Sequence, residues 1–285
     1  MAGTGYLMRD MIGVLVHFSL NAKPLTAITM AEYLLEIMSP IMIDGCSSKI
    51  VIETRNPDSF SSEKIEMNNL EFSLDKIIKH ISPSACYISI KVYNSKGICA
   101  SSYGCIARTN GLTQFMIGHE QTIFILVSYD TWQKRAETLI KEIKSICSYA
   151  PQVTYVAIDK ENIAPRSIYT ANTRLFSNPY STSTIDPESR IPGIYWAQYI
   201  HNNMLDHNTK KRMTEEICTH DIICEDIGTG VWIQTTRTIQ TDSINCQKTA
   251  CAILELEAPS YAIDENTIRK YMHLQPWLFE KYPFM

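Results

Sequence analysis

Apolar and polar positions along this chain change their period several times, and each change predicts an element. Residues 12–20 (IGVLVHFSL) form a near-continuous run of β-branched, aromatic and other apolar side chains, which reads as a buried strand. His17 inside it reads as a core or edge histidine rather than a ligand. Pro24 and Thr26 then introduce a helical pattern carrying Ile28, Tyr33, Leu34, Leu35 and Met38 on one face, with Pro40 expected to stop it. Residues 49–54 (KIVIET) alternate and predict a half-buried strand. The polar stretch 56–71 reads as a surface loop. Ser73 is placed to cap a short helix over 74–81.

The next period-two run, 85–93 (ACYISIKVY), predicts a strand, with 94–97 turning the chain into a hairpin partner over 98–103. Residues 121–129 (QTIFILVSY) are the most apolar strand pattern and are expected at the centre of a sheet. Asp130 is expected to cap a helix over 131–148, whose apolar stripe is Trp132, Ala136, Leu139, Ile140, Ile143, Ile146 and Cys147. A strand over 153–158 follows.

From 159 to 190 periodicity disappears among prolines, serines, threonines and asparagines. It returns at Ile191. Pro192 fits the first turn of a helix carrying Ile194, Trp196, Ala197, Tyr199, Ile200 and Met204. A second, polar helix is expected over 208–217, and a hairpin over 220–236 turning at Gly228-Thr229-Gly230. Helices over 243–254 and 263–274 end the pattern. The fold class predicted is α+β, with mixed, mostly antiparallel sheets packed by helices in two α+β halves. The halves are 1–160 and 191–285, with 161–190 as an irregular connecting segment.

Composition narrows this picture. The chain has 285 residues, 45% hydrophobic and 20% charged, with a net charge of −4. That is a globular chain without the basic excess of a nucleic-acid binder. No apolar run approaches the ~18–20 residues of a membrane span. The nine cysteines include no C-x-x-C pair and read as reduced thiols of a cytoplasmic protein.

Candidate chemistry is sparse. Cys218, His220 and Cys224 have no second ligand pair at zinc-site spacing, so no metal is expected. Gly228-x-Gly230 leads toward a strand rather than a helix N-terminus, which makes it a turn and not a phosphate loop. No flanking signature marks a catalytic residue, and no cofactor is expected. The signal that remains is acidic: Glu215, Glu216, Asp221, Glu225 and Asp226 follow one another with no Lys or Arg between Met213 and Thr236. These can form a solvated face or a negative patch for a basic partner, with Tyr195 nearby as an aromatic anchor.

The order of features over 191–274 (a proline-introduced aromatic segment, IPGIYWAQYI, a polar segment, DIGTGVWIQTT, then a helix) resembles the C-terminal region of bacterial immunity proteins of polymorphic-toxin and type VI secretion systems. It is most similar to the immunity protein 52 family. The family's glycine pair is spread here as Gly228-Thr229-Gly230. The resemblance implies a non-enzymatic cytoplasmic protein that binds and neutralises a cognate toxin, of nuclease type and therefore basic at its site. Its partner would be that toxin rather than nucleic acid or membrane, and a homodimer stays open. Two other classes compete. One is a cytoplasmic hydrolase or transferase with a site assembled from distant residues. The other is a structural or regulatory binding module of a mobile element.

Overall fold

The computed structural model describes residues 11–19, 25–42, 47–55, 62–68, 74–82, 85, 87–94, 99–106, 121–160, 191, 194–217, 222–239, 246, 249–250 and 252–254. Its frame is a single ten-stranded sheet in which every pairing is antiparallel. In chain order the strands are β1 (Met11–Phe18), β2 (Ser47–Arg55), β3 (Ser62–Asn68), β4 (Tyr87–Asn94), β5 (Cys99–Ile106), β6 (Gln121–Ser128), β7 (Val153–Lys160), β8 (Ala197–His201), β9 (Ile223–Asp226) and β10 (Gly230–Gln234). Across the sheet they run β3-β2-β4-β5-β6-β1-β7-β8-β10-β9. The fold is α+β, as the pattern predicts, and β6 is indeed an interior strand.

Among the described residues three helices pack on one face: α1 (Ala27–Met42), α2 (Leu74–Lys79) and α3 (Tyr129–Tyr149). The alternation of each strand sorts its side chains. On the helix side lie Ile12, Val14 and Val16 of β1, Ile50 and Ile52 of β2, Ile123, Ile125 and Val127 of β6, Val156 and Ile158 of β7, Tyr199 of β8 and Trp232 of β10. They meet Met30, Leu34 and Leu35 of α1 and Trp132, Leu139, Ile143 and Ile146 of α3. On the opposite face a second core gathers Leu15, Tyr155, Ala157, Ile200, Val231 and Ile233 beneath Ile191, Ile194, Tyr195, Met213, Ile217 and Leu254. Strands β1, β7, β8 and β10, adjacent in the sheet, are therefore buried on both sides. Toward β3 that second face is polar: Lys49 of β2 pairs across the strands with Glu66 of β3 at 2.6 Å, and Lys64 reaches Glu66 along β3 at 3.4 Å.

Four local expectations are corrected. The stretch around Trp196 is not a helix but a bend into strand β8. Its residues are buried on both faces, the polar Gln198 included, so polar and apolar positions do not sort into an exposed and a buried face and there is no period to read. Asn202–Met204 is a short 3-10 turn after it. Pro40 does not end α1, which continues to Met42. A proline at 40 removes the N–H that would bond the Glu36 carbonyl, and the Ser39 hydroxyl donates to that oxygen instead at 3.1 Å. Residues 62–68, inside the expected surface loop, form the edge strand β3. Its alternation is carried only by Ile65 and Met67, which face Ile52 and Ile50. The cap of α3 is Ser128, whose side chain accepts from Thr131 N, while Asp130 lies in the first turn. The expected cap Ser73, the segment 161–190 and the helix over 263–274 lie outside the described residues.

The β7–β8 pairing joins strands on the two sides of segment 161–190, so one sheet runs through both halves. Trp132 of α3 meets Trp196 edge to face at 5.7 Å between centroids. Buried Asp159 accepts from Trp196 N at 2.9 Å. No helix among the described residues is long and apolar enough to cross a membrane.

Candidate site at the acidic hairpin

The second half ends the sheet in the hairpin β9–β10, as the glycine turn predicts. Gly228 has φ +87°, a backbone conformation that favours glycine. Gly230 is required for a different reason: a Cβ there would lie 2.3 Å from the Ile200 carbonyl oxygen and 2.6 Å from the Tyr199 ring. The turn is tied down from several elements. Asn202 donates its amide to the Gly228 carbonyl at 2.9 Å, and Asn202 N donates to Thr229 O at 3.0 Å. Tyr199 donates its hydroxyl to Thr229 Oγ1 at 3.1 Å, and Thr229 donates to the Cys147 carbonyl near the end of α3 at 2.9 Å.

The acids occupy this rim. A helix α4 (His207–Lys211), capped by Asp206, runs into a π-helical turn (Arg212–Glu216) that carries Glu215 and Glu216. Glu225 and Asp226 lie on β9, the last strand of the sheet, with about half of each side chain exposed (51% and 52%). Three of the acids carry lysine partners. Lys144 of α3 bonds Glu225 and also lies 5.1 Å over the Trp232 ring. Lys210 of α4 pairs with Asp226 at 3.3 Å and donates to Asn202 at 3.0 Å. Lys211 reaches Glu215 at 3.8 Å, one helical turn away. The backbone N–H of Gly228, followed by Lys210, holds the Asp226 carboxyl below its ordinary value. The lysines come from outside the acid run, two from α4 and one from a helix some eighty positions earlier, so a window on the run alone does not show them.

Of the other expected contact residues, Asp221 lies outside the described residues. Tyr195 is 1% exposed in the second core, with its backbone N–H donating to Gln198 at 3.0 Å; it is a packing residue and not a surface anchor. The exposed apolar side chain at this edge is Ile223, 39% accessible. Cys218 and His220 are likewise outside the described residues, while the Cys224 thiol donates to the Met213 carbonyl at 3.2 Å. His17 is a core histidine bonded to Thr154 Oγ1 at 2.9 Å. Cys147 and Cys246 are free thiols, and burial pushes that of Cys147 up. Among the described residues no group of His, Cys, Asp and Glu is arranged to hold a metal ion.

No protein-family model and no curated protein matches the chain, so the likeness to the immunity protein 52 family rests on the sequence pattern alone. Among solved structures the fold is similar to that of the Pseudomonas aeruginosa T6SS protein PA0821, with a TM-score of 0.54 at 10% identity. The match covers 88% of this chain and 73% of that one, and at so low an identity it is a likeness of fold.

Proposed function

We propose that this protein is an immunity protein of a type VI secretion system, which binds a cognate toxin effector and blocks it without chemistry of its own. The observation that carries the reading is the fold likeness, over most of the chain, to a protein whose name places it in such a system. The immunity-protein pattern over 191–274 supports the same context from sequence. A toxin of nuclease type holds a polyanion and so presents a basic site. An acidic inhibitor surface meets such a site with complementary charge, which speeds encounter and excludes wrong partners.

The rim formed by Glu215, Glu216, Glu225 and Asp226 is the surface assigned to that contact. Its geometry suits the role. The turn is pinned by Asn202, Tyr199 and Thr229, so its shape is set before binding and little ordering has to be paid for at the interface. The lysine pairs orient the carboxylates and leave about half of Glu225 and Asp226 open to solvent.

The test is co-expression with the toxin encoded beside this chain, scored by cell survival and co-purification. Protection is expected from the wild type. Changing Glu215, Glu216, Glu225 and Asp226 together to Lys is expected to weaken binding at least about tenfold and make it less salt-dependent. No protection by the wild type removes the immunity reading. Full affinity in the charge-reversed protein removes the hairpin rim from the contact.

A further inference from the structure

The acids of the hairpin are matched by cations of this same chain. Among the described residues a second group of acids is not. Helix α1 contains Glu32 and Glu36 and no Lys or Arg. It packs beside α3, which contributes Glu142 and ends in Tyr149. Among the described residues no ion pair reaches Glu32, Glu36 or Glu142. One α3 lysine near them in sequence, Lys144, is turned the other way to Glu225.

These carboxylates surround an aromatic surface. Phe18 stacks on Tyr33 at 5.5 Å, and Tyr33 meets Tyr149 at 6.3 Å. Tyr149 is 49% exposed, the most accessible large apolar side chain among the described residues. Its hydroxyl donates to Glu36 at 2.5 Å, a bond that links α3 to α1. Burial, then the Glu36 hydrogen bond and the nearby carboxylates, push the Tyr149 phenol up; burial followed by Glu36 and Glu32 do the same for Tyr33. Both tyrosines therefore stay neutral, with their ring faces in a negative field.

From this we infer that the outward face of the α1–α3 pair, Tyr33 and Tyr149 with Glu32, Glu36 and Glu142, is a docking surface for arginine side chains of a protein partner. Three features select that occupant. A guanidinium stacks on an aromatic face and bonds a carboxylate in the same pose. Nucleic acid and anionic lipid are repelled by the carboxylates. A second copy of this chain would set the same acids against each other. The inference deepens the immunity reading and rests on it for the partner's identity: the basic toxin would straddle α3, touching the hairpin rim on one side and the tyrosine face on the other.

The test uses the full chain and two probes, nona-arginine peptide and the adjacent-encoded toxin, titrated by calorimetry. The variant Glu32→Lys/Glu142→Lys/Tyr149→Ser is compared with Glu63→Lys/Asp75→Lys, which changes the net charge equally on β3 and α2. Melting temperatures establish that both fold, and if the first does not, Glu32→Gln/Glu142→Gln is compared with the equally charged Glu63→Gln/Asp75→Asn. The tyrosine-face variant is expected to lose at least about tenfold in affinity for nona-arginine, with a change under about twofold in the control. Equal loss in both variants, or no binding of nona-arginine by the wild type, overturns the proposal. Toxin bound and neutralised equally by wild type and tyrosine-face variant also overturns it while the immunity reading stands. Absence of protection, with nona-arginine still bound through this face, removes the immunity reading and keeps the surface.

Discussion

His201 shows how one side chain can make the edge of the sheet respond to pH. It ends β8, its ring Nδ1 accepts from Asn203 N at 3.1 Å, and the Tyr199 ring meets it edge-on. Burial lowers its pKa from 6.5. A base whose folded value is depressed is destabilised in its charged form, so the unfolded chain binds more protons as pH falls below about 7. Stability is then full above that range and declines as pH drops through 6.5 toward the lower folded value. Protonation would also take away the lone pair that accepts from Asn203. Urea midpoints measured from about pH 7.5 to about pH 5 should fall, and the fall should be smaller in His201→Asn, which keeps an acceptor for Asn203 N without a charge. The Asp226 carboxyl acts in the opposite range: its value is held below 3.8, so its contribution is complete near neutrality and is lost in acid as pH falls through the folded value.

Among the elements, the β9–β10 hairpin depends on two glycines for different reasons. Gly230 pairs with His201 across β8–β10, and a Cβ on it would run into the Tyr199 ring and the Ile200 carbonyl oxygen. Gly230→Ala would force a methyl into the Ile200 carbonyl and the Tyr199 ring, and overpacking of this kind costs about 1–3 kcal/mol. Gly228→Asn should cost less, because space around it is open and asparagine tolerates positive φ. Chemical denaturation of the two variants checks the ranking, and a Gly230→Ala protein as stable as wild type would contradict the close approach. The turn is legible as Gly-Thr-Gly between two strand patterns, but not which glycine is steric and which conformational. β8 is illegible for a related reason. Its periodicity is erased by burial on both sides, and only the strand partners β7 and β10 decide between strand and helix.

The molecule as a whole is organised by the continuity of its sheet. β1 contributes to both cores, Val14 and Val16 to the helix side and Leu15 to the other. β7 and β8 then carry the sheet from one half into the next. Segments 1–160 and 191–285, which the pattern separates, therefore share strand hydrogen bonds, the Trp132–Trp196 contact and the Asp159–Trp196 bond. A chain ending at residue 160 would leave β7 as an open apolar edge and uncover Leu15, Tyr155 and Ala157. Such a chain is expected to aggregate or stay unfolded, and the full protein to unfold in one transition followed by both tryptophan fluorescence and circular dichroism. A soluble, folded 1–160 fragment would show that the first half stands alone.

Periodicity within single segments is enough to specify β1, β2, β4 and β6, the helices α1 and α3, and the glycine hairpin. Each shows a β-branched apolar run, an alternating run, a helical stripe or a turn signal in its own residues, so one dimension suffices. The clustering of acids over 215–226 is legible in the same way. What those acids face is fixed in three dimensions. Charge pairing depends on distance in space, and Lys144 reaches Glu225 from another layer of the fold. The same is true of Glu32, Glu36 and Glu142: nothing within their own helices says whether a cation from elsewhere will fold over them. Strand order, the two-sided burial of β8 and the burial of Tyr195 belong to that class as well, since each is set by contacts between segments that no local window contains.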